Sequence, residues 1–180
     1  SRLWTAEHLK DDSVPEATFD LPWVIEAGDY GMEIPQTRTH ALGSFIWDAP
    51  LKNLPEDLKL LKRRAPEVDR AETHRRLDLA WFVFGYTMDA RIRGRPWWST
   101  GLSREAAMLV GLERLMELMV DDPASIHQLM GFLRDDWLGF LDWMEKEYLL
   151  MPMNEGDYTG SGGLGYTDEL HAHGRDSVGF

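Results

Sequence analysis

The sequence contains no cysteine, so these residues can build neither a disulfide frame nor a thiolate metal site nor a thiol nucleophile. It is also short of cations, with 19 Lys and Arg against 31 Asp and Glu and a formal charge of −12. A surface of that sign repels phosphate backbones and anionic lipids, which argues against nucleic acid as partner and favours solubility. No run approaches the roughly 18 apolar residues that mark a membrane span, so no membrane partner is expected. The start, Ser1-Arg2-Leu3-Trp4-Thr5, lacks the basic-then-apolar layout of a secretion signal, and a cytoplasmic location is the default expectation. Internal repeats are missing too, and the only compositional bias is a crowding of glycine after residue 155.

What is present divides by pattern. Residues 1–52 carry Pro15, Pro22, Pro35 and Pro50 among the β-rich runs Trp23-Val24-Ile25, Met32-Glu33-Ile34 and Ser44-Phe45-Ile46-Trp47. Proline inside such runs predicts edge strands and extended arms. Residues 53–170 read as βα units. A helix is expected from Pro55, with Glu56 and Asp57 at its start and Lys62-Arg63-Arg64 at its end, charges that suit the helix dipole. Asp69 and Glu72 form an Asp-type capping box for a second helix, with Leu77, Trp81 and Phe84 on one face until Gly85.

A strand entering a loop is expected over 90–99. Ser103 then caps a helix through Met119, whose core stripe is Ala106, Leu109, Leu112 or Leu115, Met116 and Met119. Asp122-Pro123 starts another, with Ile126, Met130, Leu133, Trp137, Leu141 and Met144 at spacings of three and four. Leu149 to Met153 reads as a short buried strand opening into a polar, glycine-rich loop, and 171–180 as a tail. Strand, helix and loop in this order suggest a βα-barrel unit.

Few motifs carry chemistry. Gly160-Ser161-Gly162-Gly163-Leu164-Gly165 has the letters GxGxxG, but no helix pattern and no ribose-binding acid follow it. The better reading is a loop whose Gly160 and Gly162 let backbone approach a substrate. His171 and His173 fall in the tail, and His74 and His127 have no ligand partner at suitable spacing, so no metal site is expected. A barrel places its chemistry at the C-terminal ends of strands. Asp157, with Glu155 and Tyr158, meets that description as a proton-transfer or orienting carboxylate, or else as a surface-turn acid. Trp97, Trp98 and Ser99 hold the matching position after the preceding strand and could wall a pocket for a planar ligand or simply pack.

The order Phe19-Asp20-Leu21, Gly31-Met32-Glu33-Ile34, Ala49-Pro50-Leu51 with Asp57-Leu58, Gly94-Arg95-Pro96-Trp97, Leu115-Met116, then Val120-Asp121-Asp122-Pro123 and His127-Gln128-Leu129-Met130 resembles the uroporphyrinogen decarboxylase superfamily over roughly residues 18–170. That resemblance implies one α/β domain over 1–180 that is part of a (βα)8 barrel, with an extended β-rich N-terminal segment, and an incomplete one. A full barrel takes about 250 residues.

The resemblance also implies a lyase that removes carboxyl groups from a tetrapyrrole or other carboxylated small molecule without a cofactor. Asp20 matches the early-strand aspartate that gathers pyrrole N–H groups, and is expected to be catalytic together with Asp157. The family's N-terminal arginines would precede Ser1, and its tyrosine near the Trp97 loop has no clear counterpart. The alternatives are a corrinoid-linked methyltransferase, whose corrinoid or zinc a fuller chain would supply because its His-x-Cys pair and later Cys are not among these residues, and a non-catalytic binding or scaffold member. Exposed strand edges would favour a homo-oligomer.

Overall fold

The computed structural model describes residues 4, 7–9, 16–38, 45–94, 101–151, 155–158 and 164–166. Their elements are β1 (Thr18–Leu21), β2 (Ile25–Glu26), β3 (Gln36–Arg38), β4 (Phe45–Trp47), a 3-10 turn (Glu56–Leu60), β5 (Glu67–Val68), α1 (Arg70–Phe84), β6 (Asp89–Ile92), α2 (Ser103–Val110), α3 (Leu112–Asp121), α4 (Pro123–Lys146), β7 (Glu155–Tyr158) and β8 (Leu164–Tyr166). The chain forms two compact units. One comprises 1–26, 67–100 and 144–180, the other 27–66 and 101–143.

In the first unit β1 and β6 pair in parallel, Thr18 opposite Asp89 and Leu21 opposite Ile92, with α1 between them in sequence. The side chain of Asp69 caps α1 by accepting from the Glu72 N–H at 2.8 Å. The helix stops at Gly85, whose N–H donates to the Trp81 carbonyl. Its inner stripe is Thr73, Leu77, Ala80 and Phe84, a spacing of four, three and four that keeps one face inward. The ring of Phe84 lies 4.8 Å from that of Phe19 on β1. Thr73 Oγ1 accepts from the Val24 N–H at 3.0 Å, fixing the segment between β1 and β2. Trp81, expected on the inner face, is exposed, because Ala80 takes the inward position between Leu77 and Phe84.

On the outer face of α1, Glu72 accepts from Arg75 and Arg76 at 2.6 and 2.8 Å. Those hydrogen bonds, Arg75 first, hold its carboxyl at about 2, below the ordinary 4.5. A depressed carboxylate stabilises the fold above its ordinary pKa and loses that effect as pH falls through about 2. Carboxyl-detected NMR should place the Glu72 midpoint near 2, and Arg75→Gln should return it toward the ordinary carboxylate range. A midpoint unmoved by that substitution would break the assignment.

The second unit is helical. Leu51, Leu61, Ala106, Leu109, Val110, Leu115, Leu118, Ile126, Leu129 and Leu133 form its core. The Leu51 N–H donates to the Leu109 carbonyl, and the Trp47 indole to that of Ala107, so the segment following the antiparallel β3–β4 hairpin is tied to α2. Asp122 caps α4 as its sequence predicts, accepting from the Ser125 N–H and hydroxyl. The single helix expected from Ser103 to Met119 is two, because Gly111 adopts φ +91°, a conformation that L side chains rarely enter.

The expected part of a (βα)8 barrel with a β-rich N-terminal segment is not what forms. The described strands make four separate two-stranded sheets, and only β1–β6 is parallel. A barrel wall needs strands that alternate with helices, whereas α2, α3 and α4 follow one another with no strand between them. The N-terminal runs, broken by prolines, give strands of two to four residues; β3 pairs with its neighbour β4, while β1 and β2 pair with the distant β6 and β5. The fold is mixed α/β. Two smaller expectations also shift: the Pro55 helix is a 3-10 turn, and Leu149 to Met151 form no strand.

Candidate functional site

The two faces of the parallel pair differ. Side chains alternate across a strand, so the register puts Phe19, Leu21, Ala90 and Ile92 on one face and Thr18, Asp20, Asp89 and Arg91 on the other. The first set faces α1, as the Phe19–Phe84 contact shows. The second is polar throughout. Arg91 Nε donates to Asp20 Oδ1 at 2.7 Å, with the two side chains 30% and 33% exposed. Asp20 Oδ2 takes no hydrogen bond among the described residues. Thr18 Oγ1 is buried without a hydrogen-bond partner among the described residues.

Beyond the strand end, the Arg93 N–H donates to the Leu21 carbonyl, which carries the parallel register one step further. Arg93 is 9% exposed. Two residues on from Arg91, it lies on the same side of the extended chain. A methyl group at Gly94 would come within 2.7 Å of Met151 Cγ and 3.0 Å of the Leu149 carbonyl. Leu149 and Met151 therefore lie against the end of β6.

Of the sequence-predicted residues, Asp20 sits on this polar face. Glu155, Asp157 and Tyr158 belong to β7, which pairs antiparallel with β8 through a bulge, Asp157 opposite Gly165. They are strand residues rather than members of an open loop. Trp97, Trp98, Ser99, Gly160 and Gly162 lie outside the described residues. Sequence reasoning missed Arg91, yet the signal was there: Phe19-Asp20-Leu21 and Ala90-Arg91-Ile92 have the same apolar-charged-apolar order, the mark of paired strands with one charged face. Among the described residues no three His, Asp or Glu side chains gather as metal ligands, and no helix is long and apolar enough to cross a membrane.

A second buried polar centre belongs to the helical unit. Arg64 Nε donates to Asp136 Oδ2 at 2.6 Å, and the Arg64 N–H to Oδ1 at 2.8 Å. The guanidinium lies over the rings of Tyr30, Trp137 and Phe140 at 5.4, 5.4 and 4.7 Å, and its buried Nη2 has no hydrogen-bond partner among the described residues. Burial pushes the Tyr30 phenol above its ordinary value, with Arg64 pulling the other way. This enclosure reads as a staple, because it ties the 27–66 segment to α4.

The fold and this geometry define a mixed α/β protein with one charged face on a parallel strand pair. No protein-family model, curated protein or solved structure matches the chain.

Proposed function

We propose that the chain serves an enzyme of the uroporphyrinogen decarboxylase type and takes a tetrapyrrole or other carboxylated small molecule on the charged face of β1 and β6. The observation that carries this reading is the polarity of that face. Parallel strands are ordinarily covered and apolar on both sides, and a charged face costs stability unless something uses it. Asp20 presents an acceptor, Oδ2, to ligand N–H groups. Arg91, partly exposed, and Arg93, buried beside it, place positive charge near that acceptor, and guanidinium is the chemistry that recognises carboxylates. Together with Asp89 they make a face of two positive and two negative groups, which suits a ligand bearing both N–H donors and carboxylates.

In that role Asp20 would be catalytic. A carboxylate beside a pyrrole N–H stabilises positive charge that builds on the ring as a carbon is protonated, and that charge draws electrons from the departing carboxyl group. The resemblance around Phe19-Asp20-Leu21 supports the same assignment.

Uroporphyrin fluorescence titration tests it. Losing a charged hydrogen bond to ligand costs about 1.5–3 kcal/mol, so Asp20→Asn and Arg91→Gln should each weaken binding by roughly tenfold or more. Arg75→Gln, on the exposed outer face of α1, should leave it unchanged. Equal affinity in all three variants, or a response to a corrinoid and none to porphyrin, would defeat the proposal.

A further inference from the structure

The helix α3 presents two apolar faces, and only one is covered. Leu115 and Leu118 are each 4% exposed and belong to the core. Leu112, Met116, Met119 and Val120 are 56, 55, 55 and 82% exposed. At 100° per residue these four fall within an arc of about 100°, one continuous stripe. Alongside it run Glu113, Glu117 and Asp121, all exposed and each four residues from the next. Like charges at that spacing disfavour a helix. Asp121 also stands at the carbonyl end, where the dipole favours cations, and the last turn holds no basic residue. Arg114 pairs with Glu117 at 3.1 Å. Glu113 and Asp121 have no ion-pair partner among the described residues.

Three local rules are thus broken on one helix surface: an apolar stripe faces water, acids stack on acids, and the negative end of the dipole carries negative side chains. Such departures accumulate where a partner supplies the compensation. We infer that this surface docks an amphipathic helix whose apolar stripe is flanked by Lys or Arg. Charge complementarity selects that occupant. A second copy of this chain, at −12, would bring one acidic ladder against another, a juxtaposition that costs affinity. Anionic lipid surfaces are repelled on the same grounds. The unbranched, polarizable side chains of Met116 and Met119 suit a surface that must adapt to a partner helix.

A fluorescent synthetic amphipathic helix of about five turns, with leucines at helical spacing and lysine flanks, tests this against the 180-residue chain. The basic peptide should bind, and binding should weaken as salt is raised, because exposed charges are screened. A peptide with the same leucines and glutamate flanks should bind at least about tenfold more weakly. Met116→Asp and the double variant Glu113→Lys, Glu117→Lys should each lower affinity for the basic peptide by a similar factor with circular dichroism unchanged. The inference is overturned if the two peptides bind equally, if neither binds, or if light scattering shows a dimer that Met116→Asp converts to monomer. Recruitment to phosphatidylcholine vesicles through Met116 would assign the stripe to lipid and overturn it as well.

Discussion

Asp136→Ala should lower stability by about 3–5 kcal/mol, because removing one partner of a buried ion pair leaves the other charge uncompensated. The Asp136 side chain is 1% exposed and that of Arg64 12%, so the stranded guanidinium cannot reach bulk water without disrupting the rings around it. Tyr30, Trp137 and Phe140 attract the cation, but such contacts contribute only about 0.5–2 kcal/mol each. The Arg64 backbone N–H, which donates to Asp136 Oδ1, also loses its acceptor. The double replacement Arg64→Met, Asp136→Leu removes both charges and should recover most of the loss, since an apolar pair of similar volume is often neutral or stabilising. Urea unfolding followed by tryptophan fluorescence reads both variants. A single variant within about 1 kcal/mol of the parent would mean that the pair is not a structural staple.

Leu129→Ala should cost about 2–5 kcal/mol through lost burial and the cavity left behind. Leu129 is 0% exposed and lies in the core with Leu109, Leu115, Leu118 and Leu133. These neighbours belong to α2, α3 and α4, so the hole opens among three helices whose backbones restrict collapse. Leu138→Ala on the same helix is the control. That side chain is 53% exposed, and its loss should stay within about 0.5 kcal/mol. The contrast separates burial from helix propensity, because the chemical change is identical. Comparable shifts in the urea midpoint for both would place the core elsewhere.

Local signals in the sequence were legible where a short stretch of chain decides the outcome. Asp69 and Asp122 cap the helices they precede, since capping depends on a few adjacent residues. The α4 stripe was read nearly in phase, with Ile126, Leu133 and Met144 buried. Strand partners were not legible. The runs are two to four residues long, too short for alternation to specify a neighbour, and their pairing is decided by contacts far along the chain. Arg64 and Asp136, separated by 72 residues, illustrate the same limit, because each alone looks like an ordinary surface charge. The barrel expectation failed for a related reason: a resemblance in motif order carries no information on which strands pair. On the charged face, Asp20 was singled out in the sequence and its partner Arg91 was not, although the matching order of their neighbours held the clue.

The break at Gly111 acts on the apolar pattern as a fault acts on a wave. Leu109, Leu112, Met116 and Met119 keep steps of three and four, so along the letters they form one unbroken signal. In the structure Leu109 is 1% exposed and Leu112 56%. The glycine inserts a phase slip: the oscillation continues beyond it, but what was the trough facing the core becomes a crest facing water. One residue without a side chain thereby assigns a single repeating pattern to two recipients, the protein's own interior before the slip and the outside world after it.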